Sequence, residues 1–269
     1  MPSFTTGDGI RLSYYIDDST RPWRKPDTLL LLHAAMGNAK RYFAWVPRLS
    51  GHYRVLRMDM RGHGASELPA SDKPLNMERL VQDVVELLDH VDCQHAHIAG
   101  NSAGGYIGQN LALAHPDRVK SLMLFSSTPG LRQSQWGEWL KRVAEIGLRN
   151  FLAENIRDRL PVDQLEPEHI EWFLDEADKL DVEFGGRFVT LMTQLDWTER
   201  LHEIRCPTLI ARPGLANIGS GGQYEEMHRR IPDSQLVTYE GLPHHLTDAA
   251  PERCVDDVLA FLRWRFGAA

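Results

Sequence analysis

The sequence predicts an α/β fold, with a mostly parallel β-sheet, helices on its faces and a further block of helices inserted late in the chain. Short apolar runs typical of buried strands alternate with stretches of helical periodicity along the 269 residues. Residues 131–195, by contrast, have helical character throughout. With 42% hydrophobic and 25% charged residues, the composition is that of an ordinary globular protein, so a disordered chain or a coiled-coil rod is excluded.

Five runs in the first half of the chain predict strands, and two helices are predicted among them. The strands are expected at 11–16, 28–32, 54–58, 95–99 and 121–125. The run Thr28 to Leu32 is apolar almost without interruption, as expected for a strand buried on both faces. One helix is expected over 77–91, where apolar residues recur at helical spacing. The second follows the fourth strand and ends at His115-Pro116, because the residue before a proline disfavours helical geometry.

The second half of the chain predicts an insertion followed by the end of the sheet. Strand patterns resume at 207–211 and 235–239, and a last helix is expected over 251–266. We therefore expect residues 1–130 and 196–269 to form the core and residues 131–195 to form a helical cap over the ligand-binding edge of the sheet. Extra helices packed against the side of the sheet are the alternative.

Charge, cysteines and hydropathy limit the partners. The net charge of −7 provides no basic field for nucleic acid or an anionic membrane. Cys93, Cys206 and Cys254 form no C-x-x-C pair, so neither a zinc site nor a disulfide framework is indicated. The first residues lack the pattern of a signal peptide, and the apolar runs are too short to span a membrane. We expect a cytoplasmic protein with a small-molecule substrate and no metal or cofactor; the sequence leaves a homodimer open.

Residues 100–104, Gly-Asn-Ser-Ala-Gly, fit the G-x-S-x-G pattern of a nucleophile elbow. A strand is predicted before them and a helix after them, which is the context that the motif requires. Such a turn presents the Ser102 hydroxyl at a helix N-terminus, where free N–H groups favour developing negative charge. The alternative is a glycine-rich junction with a buried capping serine.

With this elbow the chain resembles the α/β-hydrolase superfamily along essentially its whole length. Four further segments carry the resemblance in the expected order: 33–37 (HAAMG), 59–66 (DMRGHGAS), 204–209 (IRCPTL) and 241–244 (GLPH). The resemblance implies an α/β-hydrolase sheet and a structural role for the loop that contains Arg61 and His63.

The resemblance also implies roles for several residues near Ser102. The oxyanion hole would consist of the backbone N–H groups of Ala35 and Ala103, with Ala34 the weaker choice where the family usually has glycine. His244 and His245 compete for the role of general base, and the position of His244 directly after the last strand and its turn favours it.

The acid of the expected triad is missing from its usual positions. The loop after the strand at 207–211 has Asn217 where the family commonly has aspartate, and residues 126–129 contain no carboxylate. Asn217 could orient the histidine itself, or replace an aspartate and disable the site. A carboxylate could instead come from elsewhere, and the sequence offers three: Asp248, Glu225 and Glu226. A non-hydrolytic protein of this fold is the third explanation.

Aromatic and sulfur-containing residues predict an apolar pocket around Ser102. The substrate-binding candidates are Met36, Trp136, Trp139, Met192 and His245. The sequence therefore favours a cofactor-independent serine hydrolase of a small, largely apolar carboxylic ester or lactone, with amides and carbon–carbon bonds as further substrates. The alternatives are a lyase or cofactor-free oxygenase that uses His244 as a base, and a ligand-binding pseudoenzyme.

Overall fold

One eight-stranded sheet organises the protein in a computed structural model that describes residues 1–131, 136–215, 218 and 222–267. In chain order the strands are β1 (Ser3–Thr5), β2 (Arg11–Asp17), β3 (Thr28–Leu32), β4 (Arg54–Met58), β5 (Ala96–Asn101), β6 (Val119–Phe125), β7 (Thr208–Pro213) and β8 (Ser234–Tyr239). Their order across the sheet is β1-β2-β4-β3-β5-β6-β7-β8. β2 pairs antiparallel with both β1 and β4, and all other neighbours are parallel. The predicted mostly parallel α/β sheet is confirmed.

Ten α-helices lie within the described residues, and helices pack on both faces of this sheet. They are α1 (Val46–Leu49), α2 (Met77–His90), α3 (Ala103–Ala114), α4 (Trp136–Ile146), α5 (Leu148–Glu154), α6 (Pro167–Ala177), α7 (Val182–Thr193), α8 (Gly222–Arg230), α9 (Leu246–Ala249) and α10 (Pro251–Phe266). None of the helices in this part of the chain is long and apolar enough to cross a membrane.

The alternation of side chains along β3 divides the core into two layers. Leu30 and Leu32 are buried with residues of α2 and α3, whereas Leu29 and Leu31 are buried with residues of α1 and α10. Successive side chains of a strand point to opposite faces, so a strand between two layers must be apolar at every position. This requirement explains the continuous apolar run that predicted β3.

In the sequence, four helices, α4 to α7, come after β6 and before β7. We call residues 136–193 the helical segment. Between α5 and α6, a 3₁₀ turn at Ile156–Asp158 leads into an irregular stretch. Two backbone hydrogen bonds join the end of this turn and the start of the stretch to the core, from the His244 N–H to the Asp158 carbonyl (3.2 Å) and from the His245 N–H to the Arg159 carbonyl (3.0 Å). The helical segment is therefore fixed to the loop that follows β8.

The turn between β5 and α3 is crowded with backbone atoms, which is why glycine is required there. A Cβ added to Gly104 would lie 2.1 Å from the Leu32 carbonyl oxygen, and one added to Gly100 would lie 2.5 Å from the Gly104 carbonyl carbon. Within this turn Ser102 has a φ of 50°. A positive φ is unfavourable for a residue with a Cβ and persists only where the surroundings enforce it. The close packing at the two glycines provides that enforcement.

We expect Gly104→Ala to destabilise the protein, because the added methyl group must displace the backbone of β3. The free energy of unfolding should fall by about 3 kcal/mol, the upper range for overpacking a buried position. Urea denaturation followed by circular dichroism measures it. Gly137→Ala is the matched control, since among the described residues an added Cβ there meets no atom within 4 Å, and a helical alanine should stabilise by up to about 1 kcal/mol. Equal stability of the two variants would contradict the packing argument.

Candidate active site

Ser102 and His244 form a hydrogen-bonded pair at the carboxyl end of the sheet. Ser102 lies between the end of β5 and the start of α3, and its Oγ is 3.0 Å from Nε2 of His244, which follows β8. The Ser102 N–H donates to the Phe125 carbonyl (2.9 Å), and Ser127 Oγ donates to the Ser102 carbonyl (2.9 Å). These two bonds fix the backbone of the serine to the end of β6. A hydroxyl at hydrogen-bond distance from an imidazole nitrogen is the arrangement that nucleophilic catalysis by serine requires.

The two adjacent histidines have different neighbours. His244 lies at hydrogen-bond distance from Ser102, whereas Nδ1 of His245 lies 3.5 Å from the Asn101 amide nitrogen and 3.8 Å from the Asp248 carboxylate. Both rings are buried and lie edge to face, with their centroids 5.3 Å apart. Of the two candidate bases, His244 is the one placed against the hydroxyl.

The second ring nitrogen of His244, Nδ1, is buried and has no hydrogen-bond partner among the described residues. Burial, and next the positive charge of Arg159, lower the pKa of His244 from 6.5 to about 3. The ring is therefore neutral at pH 7, the form that can accept a proton from Ser102. A neutral imidazole that accepts at Nε2 carries its proton on Nδ1, so this N–H donor has no acceptor in the described part of the chain.

The three carboxylates that could replace the missing acid are each paired elsewhere. Asp248 forms a buried ion pair with Arg41 (3.0 Å). Glu225 pairs with Arg212, and Glu226 pairs with Arg230 (3.1 Å). None of these carboxylates forms a hydrogen bond with His244 in the described part of the chain. The remaining sequence candidate, Asn217, lies outside the described residues.

The loop after β3 is held in place by His33. Its Nδ1–H donates to the Ala34 carbonyl (2.8 Å), while Nε2 accepts from the Met60 N–H (3.0 Å). Burial lowers the pKa of His33 to about 4, so the ring stays neutral and can make both bonds. In the hydrogen bonds between described residues, the Ala35 and Ala103 N–H groups donate to no acceptor. Both residues line the cavity beside Ser102, and their amide protons are free for a ligand.

A small cavity of about 80 Å³ lies above Ser102. Its described lining includes every predicted site residue except Trp136, whose side chain is not described, and Asn217. These residues are Ala35, Met36, Ser102, Ala103, Trp139, Met192, His244 and His245. The structure thus brings together side chains from the helical segment, the elbow and the loops after β3 and β8.

Five lining residues were not predicted: Tyr106, Leu131, Arg159, Val189 and Ile218. Helical spacing could have indicated two of them, because Tyr106 lies one turn after Ser102 and Val189 one turn before Met192. For Arg159 the sequence offers no signal, since it is one of many charged residues in its surroundings. Arg159 reaches the site only because the irregular stretch after the 3₁₀ turn packs against the loop after β8, which contains His244 and His245.

The loop at 59–66 contributes to stability and not to the cavity lining. The Asp59 carboxylate accepts from the Ala39 N–H (2.7 Å) and the Ala65 N–H (2.9 Å), and so joins this loop to the one after β3. Arg61 is fully buried and pairs with Asp83 (2.6 Å) and Asp8 (3.0 Å). These contacts agree with the structural role that the resemblance implies.

With this fold and this serine–histidine pair, the chain belongs to the alpha/beta hydrolase fold family, which matches residues 27–164. The chain is 32% identical over 255 residues to the dihydrolipoyllysine-residue acetyltransferase component of the acetoin cleaving system of Pseudomonas putida. That match covers 87% of the chain and 63% of the relative, so the chain spans less than two thirds of that protein.

Two further proteins are similar over nearly their full length. The chain is 26% identical to the pimeloyl-[acyl-carrier protein] methyl ester esterase of Aeromonas hydrophila, covering 88% of the chain and 95% of the esterase. It is 28% identical to a hydrolase from Pseudomonas aeruginosa of known structure, with a TM-score of 0.86 and 97% of both chains covered. The family and the names of these relatives support hydrolase activity for the chain.

Proposed function

We propose that the protein is a cofactor-independent serine hydrolase that cleaves a small carboxylic ester or lactone through an acyl-enzyme on Ser102. The observation that carries the proposal is the 3.0 Å contact between Ser102 Oγ and His244 Nε2, beside the amides of Ala35 and Ala103, which donate to no acceptor among the described residues. A serine hydroxyl is a weak nucleophile at its own pKa, and an adjacent base is what activates it.

The reaction would proceed in two halves. In the first, His244 removes the Ser102 proton while Oγ attacks the carbonyl carbon, and the tetrahedral oxyanion accepts from the amides of Ala35 and Ala103. Each such donor contributes about 3 kcal/mol to the transition state. His244 then returns the proton to the leaving alkoxide. In the second half His244 deprotonates a water molecule, which attacks the acyl carbon. The bond from that carbon to Ser102 Oγ then breaks, Oγ takes the proton from His244, and the acid is released.

The size and lining of the cavity suggest the class of substrate. At about 80 Å³ the cavity is small, and its walls are largely apolar, with Met36, Trp139 and Met192 among them. We assign residues 131–195 the role of a cap that covers the substrate, because the helical segment contributes part of this lining. The name of one relative, a methyl ester esterase, is consistent with an ester as the substrate.

Labelling with a small fluorophosphonate, followed by intact-mass spectrometry, tests the proposal. The Ser102 oxygen would bond to phosphorus as fluoride leaves, adding one phosphonyl group per chain, and Ser102→Ala should abolish the label. A folded protein that stays unlabelled, or a label that persists in Ser102→Ala, would contradict the proposal. Turnover that survives Ser102→Ala but not His244→Gln would identify a base-driven, non-hydrolytic enzyme instead.

A further inference from the structure

Four arginines are buried among the described residues, and one of them differs from the rest. Arg41, Arg57 and Arg61 are each at most 8% exposed, and each pairs with an aspartate, at 3.0, 2.8 and 2.6 Å respectively. Arg159 is 5% exposed, and no ion pair between described residues includes it. An unpaired buried charge is costly, so an arginine in this position calls for an explanation.

The Arg159 side chain lies in the wall of the cavity that contains Ser102 and His244. Its guanidinium carbon is 5.7 Å from the centre of the Trp139 ring and 5.6 Å from that of Phe151, and Nη1 donates to the Asn155 carbonyl (3.0 Å). A guanidinium has five N–H donors, so most of them have no acceptor in the described part of the chain. The contacts hold the group in place and leave its remaining donors available.

Arg159 is the only residue of the described lining that is charged at neutral pH. Burial lowers the pKa of its guanidinium to about 10, and the nearby Asp158 charge partly offsets this, so the group remains a cation at pH 7. Its charge is also close enough to His244 to help depress the pKa of that imidazole. The described lining contains no aspartate or glutamate. The described wall therefore holds no counter-ion for the Arg159 charge.

We propose that Arg159 binds a carboxylate of the substrate, so that the ester or lactone cleaved at Ser102 carries a second, ionised carboxyl group. A planar carboxylate matches the paired donors of a guanidinium and balances its single charge. A phosphate monoester, with nearly two negative charges at pH 7, would leave excess charge in an apolar cavity. The inference rests on the proposed function, because it takes Ser102 as the reacting group. It changes the expected substrate from a wholly apolar ester or lactone to one that carries a single negative charge.

Binding to the Ser102→Ala variant tests the proposal without requiring turnover. Titration calorimetry would use the monomethyl esters of succinic, glutaric and adipic acids, each compared with a methyl ester in which an isopropyl group replaces the carboxylate. The best monoanionic ester should bind at least about tenfold more tightly than its neutral counterpart. Adding Arg159→Gln should weaken its binding by about 10- to 100-fold and change that of the neutral ester by less than about threefold.

Two controls keep the result specific to Arg159. Arg157 is two residues away, is 69% exposed and pairs with Asp163 (2.6 Å), so Arg157→Gln removes the same net charge from outside the cavity and should leave binding unchanged. Arg159→Lys keeps the charge but loses the paired donors, so this variant should bind the monoanionic ester with intermediate affinity. It also provides a second test if the glutamine variant fails to fold. Inorganic phosphate that competes as well as the monomethyl esters would indicate a general anion site and overturn the carboxylate assignment.

The outcomes separate this inference from the proposed function. If the fluorophosphonate labels Ser102 but Arg159→Gln weakens anionic and neutral esters equally, the hydrolase stands and the carboxylate site does not. If Arg159→Gln selectively weakens the anionic esters while Ser102 stays unlabelled in the parent protein, the anion site stands and the hydrolase does not.

Discussion

Replacing His244 by glutamine should slow phosphonylation of Ser102 by about two orders of magnitude, because a full triad contributes about 10⁶ and the lack of an acid beside His244 among the described residues already removes about 10⁴ of it. The expected loss reflects the role of the ring as the only described hydrogen-bond partner of the Ser102 hydroxyl, at 3.0 Å. Serine hydrolases that lose a member of the catalytic unit keep only the contribution of binding and the oxyanion hole. The measurement is the second-order rate constant for labelling by the fluorophosphonate, compared between the parent and the variant.

His245→Gln is the informative comparison, because the two histidines are adjacent and equally buried. His245 lines the cavity but approaches Asn101 and Asp248, so its replacement should slow labelling by no more than about tenfold. A larger loss in His245→Gln than in His244→Gln would exchange the roles assigned to the two residues.

The pH dependence of the labelling rate gives a second test of His244. A general base works in its neutral form, so the rate falls only when the pH drops towards the pKa of the base. Burial and the Arg159 charge lower the pKa of His244 to about 3. Labelling of the parent protein should therefore be nearly constant from pH 8 down to about pH 5. A decline centred near pH 6.5, as for an unperturbed histidine, would show that the ring is more solvated than the structure indicates.

The sheet and the elbow could be predicted from the sequence because local patterns determine them. The helix α10 has the predicted bounds, 251–266, and the strand β3 has the predicted bounds, 28–32. The fourth predicted strand, at 95–99, instead runs from Ala96 to Asn101. Its last residues, Gly100 and Asn101, have low strand propensity, and parallel pairing with β6 overrides that preference. The strand β1 has only three residues, too few to show alternation.

The charge of the site could not be predicted in the same way. Arg159 follows a short turn between two helices, and nothing in its neighbours distinguishes it from the exposed Arg157 two positions earlier. What distinguishes it is the pair of hydrogen bonds from His244 and His245 to the carbonyls of Asp158 and Arg159, which join segments more than 80 residues apart in sequence. Such a long-range contact leaves no local pattern, so the sequence predicted a pocket with few charges and missed its cation.

Introducing a carboxylate at position 217 should have the opposite effect to removing the base. Because Nδ1 of His244 has no acceptor among the described residues, the imidazolium that forms during acylation has no counter-charge in this part of the protein. In a serine protease the change from aspartate to asparagine costs about 10⁴ in turnover. We therefore expect Asn217→Asp to accelerate phosphonylation of Ser102 by between about 10² and 10⁴, measured with the same labelling assay.

The pH profile distinguishes a restored triad from an unrelated gain in rate. A carboxylate beside Nδ1 favours the protonated ring and raises the pKa of His244, so the rate in Asn217→Asp should decline at higher pH than in the parent. Asn217→Leu completes the series. If this variant is labelled more slowly than the parent, the asparagine already orients His244; if the labelling rate is unchanged, it does not. If Asn217→Asp neither accelerates labelling nor moves the acidic limb, position 217 is not the acid site. His244 would then act without a charged partner, on a substrate whose own carboxylate offsets the field of Arg159.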